Sequence, residues 1–297
     1  MNDGQELRRR QAYSIGDVQV VPTAAALGAE IRGVDLTQAL SAETLDAVNQ
    51  AWSEHEVLLF RDLDLTVEQH LAFAGAIGDL EPANLATPLT AKYPDLIEIS
   101  NVDYDTGTPV KNRLGNSEAY WHTDMSYREV PPKASCLIAR ELPPDGGDTS
   151  FCSMYLAYEA MGDDLRAEVE GLTAVHDESR NAAGKLREGY EDVTDPKLTP
   201  GPRHPIIRTH PVTGRKALFL GRRPYAYIPG LSVAESEELL DRLWAHATQA
   251  RFVWRHRWRL GDMVLWDNRC SMHRRDAFDG QYRRVLHRTQ ISGDRPY

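Results

Sequence analysis

His122-Thr-Asp124 places an imidazole and a carboxylate two residues apart. On an extended segment such residues face the same way, so one metal ion could take both. Two histidines and one carboxylate leave positions open on a divalent metal, the ligand set of non-haem iron(II) sites. His273 is a candidate for the third ligand. Alone, the pair means little. Ten histidines and 44 acidic residues among 297 give about 1.5 H-x-[DE] pairs by chance at ordinary composition. The chain has two, the other being His176-Asp-Glu178. A hydrogen-bonded loop histidine is the plainer reading of His122.

Its companions add weight. The Gly146-Gly-Asp-Thr149 turn offers a hydroxyl that can donate to a carboxylate. Trp266-Asp-Asn-Arg269 leads into His273, and Arg284 follows on a stretch that reads as a strand. The planar arginine fork gives a carboxylate two parallel, charge-assisted hydrogen bonds. Arg284 and Arg288 would share one strand face, with His287 on the other. Two inward arginines need anionic partners, which suggests a co-substrate and a substrate that are both anions. The alternative for Arg288 is a structural Asp or Glu. Asp267 and Asn268 could orient His273, or hold their own loop through side-chain-to-backbone bonds. Trp121 reads as core filler or as a wall of the metal pocket. His176 reads as a surface or strand-end histidine. His210, His256 and His287 lack companions that would make them ligands.

The elements that must position these groups follow from pattern. Ser41 caps a helix running to Glu56, with Leu45, Val48 and Trp52 at helical spacing. Val57–Phe60 is a buried strand. Thr66-Val-Glu-Gln69 and Ser232-Val-Ala-Glu235 are capping boxes that open two more helices. Leu96–Ser100 and Ser135–Arg140 read as strands, and Ser153–Gly171 as helical. Ile206–Leu220 reads as a hairpin around His210-Pro-Val-Thr-Gly214. Phe252–Trp258, Met263–Trp266 and Arg284–Ile291 close the chain as strands. Short strands with few helices suggest a mainly β fold with flanking helices, a sandwich or double-sheet jelly roll. Residues 1–12 read as a flexible tail and 13–297 as a single domain. Within it, Asp177–Arg203 is rich in charge, Gly and Pro and has the length of a lid.

Composition narrows the partners. A net charge of −10 argues against nucleic acid, while a local arginine cluster can still receive a small anion. No apolar run reaches the ~18–20 residues of a membrane span, and no apolar stretch follows Arg8-Arg-Arg10 to make a signal peptide. Cys136, Cys152 and Cys270 are odd in number and far apart, which fits a reducing cytoplasm.

Four pieces in order carry a resemblance to a known family. They are Trp121-His-Thr-Asp124, Glu141-Leu-Pro-Pro-Asp-Gly-Gly-Asp-Thr149, Trp266-Asp-Asn-Arg269 with His273, and Arg283-Arg-Val-Leu-His-Arg288. From about Ala24 to Gly293 the chain resembles the taurine dioxygenase and 2,4-dichlorophenoxyacetate dioxygenase family. The resemblance implies a double-stranded β-helix (jelly roll), often homo-oligomeric, that uses Fe(II), 2-oxoglutarate and O2. It implies His122, Asp124 and His273 as iron ligands, and Thr149 and Arg284 as anchors of the distal carboxylate of 2-oxoglutarate. Arg288 would grip the anionic group of the substrate. Two positions depart from the taurine enzyme: Ala83 approximately matches a substrate-binding histidine, and Glu118 stands in place of a taurine-contacting asparagine. Taurine therefore fits poorly, and an acid at position 118 would suit an amine. The expected reaction is hydroxylation of a small anionic molecule, with succinate and CO2 as co-products. One alternative is biosynthetic desaturation, cyclisation or decarboxylation of an amine or amino-acid-like substrate. Another is a non-catalytic metal-binding jelly roll.

Overall fold

The structure, a computed structural model, describes residues 11–83, 87–110, 120–180 and 186–297. Glu118, the first ten residues of the expected tail, and 181–185 of the expected lid lie outside the described residues. Strands β1 (Tyr13–Ile15), β2 (Val18–Pro22) and β3 (Ala29–Arg32) come first, then helix α1 (Ala42–His55), β4 (Val57–Phe60), α2 (Val67–Ile77), α3 (Pro88–Lys92) and β5 (Ile97–Ser100). The middle contributes β6 (Ala134–Glu141), β7 (Thr149–Ser153), α4 (Met154–Glu159), α5 (Asp163–Val169), β8 (Thr173–Val175), β9 (Arg203–Pro205), β10 (Ile207–Thr209) and β11 (Lys216–Leu218). Helix α6 (Val233–Ala247), β12 (Val253–His256), β13 (Met263–Asp267), β14 (Ser271–Arg275) and β15 (Val285–Ile291) complete the chain.

An eight-stranded sheet in the order β1-β2-β3-β4-β13-β6-β15-β5 faces a three-stranded sheet in the order β12-β7-β14. Strand parity shows how they face. Val264 and Trp266 of β13, Leu137 and Ala139 of β6 and Leu286 of β15 pack in one cluster with Phe151 and Trp254 of the small sheet. The alternate residues, Met263, Leu265, Cys136, Ile138 and Ile291, pack on the opposite face with Ala47, Val48 and Ala51 of α1 and Phe73 and Ala74 of α2. Both faces of these strands are covered, which is why they read as continuous apolar runs rather than alternating ones. The outer face of the small sheet, Cys152 and Met272, packs with α4 and with Leu239, Leu240 and Leu243 of α6. This two-sheet sandwich with helices outside is the expected jelly roll.

Local chemistry sets the helix starts. Ser41 accepts the Thr44 N–H at the head of α1, and both capping boxes, at Thr66 and Ser232, are formed. The stretch read as one helix from Ser153 is instead α4 and α5, broken at Ala160-Met-Gly162. Gly162 caps the second helix without offering a side chain. The expected hairpin forms as β10 against β11. Strands β1–β3 and β14 had no counterpart in the pattern reading.

Candidate active site

The small sheet delivers the two histidines. His273 lies on β14, whose Met272 faces outward, so His273 points between the sheets beside Phe151 and Trp266. His122 joins this sheet as an extra rung: its N–H donates to the His273 carbonyl at 3.0 Å, and its carbonyl accepts the His273 N–H at 2.9 Å. A pair that exchanges both bonds sits directly opposite, with side chains on the same face. The rings lie 4.3 Å apart between centroids. Asp124, two residues on, brings an oxygen 3.9 Å from His122 Nε2 and 3.8 Å from His273 Nε2. One ligand atom from each of the three falls within 4.8 Å of the others, and all three residues are buried.

Protonation states suit a metal. His122 Nδ1 lies 2.9 Å from the Tyr120 carbonyl. A carbonyl only accepts, so Nδ1 carries a hydrogen, and Nε2 is the nitrogen turned to Asp124 and the centre. Burial, with His122 next to it, lowers the His273 pKa to about 3, so this ring is neutral. Burial alone would raise the Asp124 pKa. The Arg288 guanidinium, the two imidazoles and the Ser135 hydroxyl outweigh it and hold the carboxyl well below the usual range. Arg288 Nη1 is 3.3 Å from both Asp124 oxygens, and Ser135 donates to Oδ2 at 2.8 Å. Two imidazoles, that of His273 neutral, and an ionised carboxylate, buried and convergent, fit Fe(II).

A second group of residues gathers around Arg284. Arg284 is fully buried and donates to the Gly147 carbonyl at 3.0 Å, while its N–H donates to Asn101 Oδ1 at 2.8 Å. Gly147 has φ +72°, and a Cβ there would lie 2.9 Å from Arg284 Nε. The residue must therefore be glycine for the arginine to lie where it does. Thr149 is the first residue of β7 rather than part of a turn. Its Oγ1 accepts from Trp258 Nε1 at 3.0 Å, which leaves the hydroxyl hydrogen to donate elsewhere.

Of the two readings of the loop residues, side-chain-to-backbone bonding is the one formed: Asp267 Oδ1 accepts the Arg269 N–H at 2.9 Å. Asn268 does not reach for His273. Its Oδ1 accepts the Asp124 N–H, and its Nδ2 donates to the carbonyls of Asp124 and Pro132, all at 2.9 Å. Asp267 takes two bonds from the Arg269 side chain, at 2.9 and 2.7 Å, and one from His210 at 3.0 Å. His210 Nδ1 accepts the N–H groups of Val212 and Thr213, so its Nε2 carries the hydrogen. His210, Asp267 and Cys270 could geometrically hold a metal, but Nε2–H is already given to Asp267. His176 is not a surface histidine: it is 3% exposed and stacks on Phe219. Trp121 packs against the outer cluster with Arg274 over its ring, as core filler. Ala83 sits between α2 and α3 with its N–H on the Pro94 carbonyl, and none of its described contacts is with the triad. The sequence reading did not find Ser135, although its parity with Leu137 and Ala139 on β6 marks it as inward.

With this geometry in view, the whole chain can be compared with known proteins. Residues 19–290 match the family model described as taurine catabolism dioxygenase TauD, TfdA family. The chain belongs to that family. It is 38% identical over 273 residues to the alpha-ketoglutarate-dependent 2,4-dichlorophenoxyacetate dioxygenase of Cupriavidus pinatubonensis, covering 90% of this chain and 94% of the relative. It is 36% identical over 280 residues to the (S)-phenoxypropionate/alpha-ketoglutarate-dioxygenase of Sphingobium herbicidovorans, covering 93% and 95%. Among solved structures, that of AAD-2 in complex with Mn(II) and N-oxalylglycine superposes with a TM-score of 0.80 at 33% identity, covering 94% of this chain and 98% of the other. The chain is thus an enzyme of the alpha-ketoglutarate-dependent dioxygenase class.

Proposed function

We propose that this dioxygenase hydroxylates a small organic acid of the aryloxyalkanoate type. Fe(II) is held by His122, Asp124 and His273, the distal carboxylate of 2-oxoglutarate by Arg284 and Thr149, and the anionic group of the substrate by Arg288. What carries the reading is convergence: a buried two-imidazole, one-carboxylate set has Arg288 of β15 against its carboxylate, and Arg284, just before that strand, is buried against Gly147. Two relatives named for phenoxy acids support the substrate type.

When bound, the metal and 2-oxoglutarate supply with O2 the oxidant that replaces a C–H hydrogen by hydroxyl, leaving succinate and CO2. The chain does the positioning. Ser135 and Arg288 keep Asp124 ionised, and the Tyr120 carbonyl fixes the His122 tautomer. Arg284, buried against Gly147, fixes one end of the co-substrate. Arg288, partly exposed at 17%, is open to an incoming anion and orients the carbon to be attacked.

Succinate formation tests this across phenoxy acids, sulfonates, sulfate esters and amino acids, with Fe(II), 2-oxoglutarate and O2. Strong stimulation by a phenoxy acid is expected, and Asp124→Ala should abolish coupled turnover. Hydroxylation by Asp124→Ala at the wild-type rate would refute the ligand assignment. We further propose a cytoplasmic homo-oligomer. Three buried, unpaired cysteines support a reducing compartment, and sedimentation would measure the assembly.

A further inference from the structure

The metal-binding histidines belong to a longer cross-strand row. Trp254 pairs with Phe151, Phe151 with His273, His273 with His122, and His122 with Arg222. Side chains of directly opposed residues lie on one face of a sheet. The ring contacts trace that face: Trp254 to Phe151 at 5.7 Å, Phe151 to His273 at 6.1 Å and His273 to His122 at 4.3 Å. Arg222 is the last member, and its rung is the close kind. The Thr123 N–H donates to the Gly221 carbonyl at 3.0 Å, which makes His122 and Arg222 a non-hydrogen-bonded pair. Such pairs bring their Cα atoms to ~4.5 Å and their side chains closest.

Its neighbour confirms the parity. Arg223 turns the other way, to α6, where it binds Glu237 and Asp241, each at 2.7 Å. Arg222, on the opposite face and partly buried, is directed into the space between the sheets. Gly221 just before it has φ +68°, and a Cβ there would lie 2.2 Å from His176 Nδ1. Any side chain at that position would shift the strand segment that aims Arg222.

We propose that Arg222 is a substrate-contacting, specificity-determining residue, and that together with Arg288 it fits the site to an organic acid with two separated anionic groups. The proposal rests on the dioxygenase reading above and adds the substrate class. Contacts run from Arg222 to His122, from His122 to Asp124, and from Asp124 to Arg288. The triad therefore has Arg288 of the large sheet against its carboxylate and Arg222 on the rung next to His122. A substrate whose first carboxylate meets Arg288 presents its far end toward Arg222. An acceptor there gains a charge-assisted hydrogen bond in a partly dry site.

A matched pair of probes tests this: phenoxyacetate, with one carboxylate, and 4-carboxyphenoxyacetate, with two. Succinate yield is measured for the wild type, Arg222→Gln, Arg222→Lys and, as a control, Arg223→Gln. Binding of each probe to the Mn(II)-loaded protein with N-oxalylglycine is measured by calorimetry. The wild type should favour the two-carboxylate acid. Arg222→Gln should cost it roughly 10- to 100-fold in kcat/KM, mostly through KM, the scale of one lost hydrogen bond to a charged group. Phenoxyacetate and the KM for 2-oxoglutarate should stay put, Arg222→Lys should recover part of the loss, and Arg223→Gln should change neither probe. A rise in the 2-oxoglutarate KM, an equal loss on both probes, or no preference in the wild type would each overturn the proposal. If no succinate forms with either acid, the aryloxyalkanoate reading fails. Calorimetry then still decides Arg222: equal binding of the two probes rejects the assignment, and preferential binding lost in Arg222→Gln upholds it.

Discussion

Asn268→Ala isolates a support of the candidate metal site that lies far from Asp124 in sequence. The Asn268 side chain makes three bonds of 2.9 Å, one accepted from the Asp124 N–H and two donated to the Asp124 and Pro132 carbonyls. Asn268 is buried, 1% exposed, so truncation leaves three backbone groups without their partner. At about 1 kcal/mol for each orphaned group, the low end of the usual cost, the metal-free protein should lose about 3 kcal/mol. The same change frees the backbone that aims the Asp124 carboxylate, so metal affinity should fall roughly 10- to 100-fold, as for other supports of a metal ligand. Asn268→Asp should do no better. It keeps an acceptor for the Asp124 N–H but turns a carboxylate oxygen toward two carbonyls. Urea unfolding of the metal-free protein gives the first quantity, and anaerobic competition titration with Mn(II) the second. An Asn268→Ala protein with wild-type stability and wild-type metal affinity would refute the argument. A stability loss with unchanged affinity would mean that Asp124 is held by Ser135 and Arg288 alone.

Three other expectations follow from the same contacts. Gly147→Ala should raise the KM for 2-oxoglutarate at least about 10-fold, because its Cβ would crowd Arg284 Nε at 2.9 Å and αL alanine costs ~1–2 kcal/mol. Gly189→Ala has a similar φ of +88° but no atom within 4 Å, so it should leave that KM unchanged. Arg284→Lys should also raise it, roughly 10- to 100-fold, since an ammonium cannot replace the planar fork, and steady-state kinetics would show it. Stability should fall below neutral pH through His70 and His287. Burial, then Arg140, lowers the pKa of His70 to about 3 and of His287 to about 4. The unfolded rings take up protons below pH ~6.5, while the folded ones stay neutral until far lower, so stability drops as pH falls from ~6.5 toward 4. The limit is about 1.4 kcal/mol per pH unit for each ring. Urea unfolding across that range should show His287→Gln with a shallower slope; an unchanged slope would exclude His287.

Legibility in the sequence depended on whether a local pattern survives pairing. The strands β4 and β13 were legible because burial on both faces leaves unbroken runs, Val-Leu-Leu-Phe and Met-Val-Leu-Trp. Helix starts were legible because caps are local: Ser41, Thr66 and Ser232 bond within three residues of themselves. Strand β14 was not, although it carries His273. Ser-Met-His-Arg-Arg has neither a run nor a clean alternation, and only pairing with β7 on one side and His122 on the other makes it a strand. Parity on β15 sets Arg288 on the face of Leu286, in register with β5, while Arg284 lies just before the strand, next to a register shift against β6 between Val285 and Leu286. The partner of Asn268 was not legible, since its bonds cross from residue 268 to residues 124 and 132. Arg222 was invisible for the same reason: nothing nearby in sequence marks it, and its meaning comes from one rung beside His122.

The division of labour between frame and edge explains how one family can accept different acids. Thr149 and Phe151 lie on β7, which is paired on both sides, His273 lies on β14, paired with β7 along its length and with His122 by one bridge, and Asp124 is fixed by Asn268, Ser135 and Arg288. Such positions do not move without breaking several bonds at once, so metal and co-substrate geometry should persist through considerable sequence change. Arg222 differs. It is held by an isolated bridge after β11, followed within three residues by Tyr225 at φ +62°. A side chain there can be exchanged without breaking the backbone bonds that join this segment to His122 and Thr123. Substrate choice should therefore reside in residues like Arg222 at the end of the row. Exchanging that one side chain should change which acid is taken while the KM for 2-oxoglutarate stays where it was.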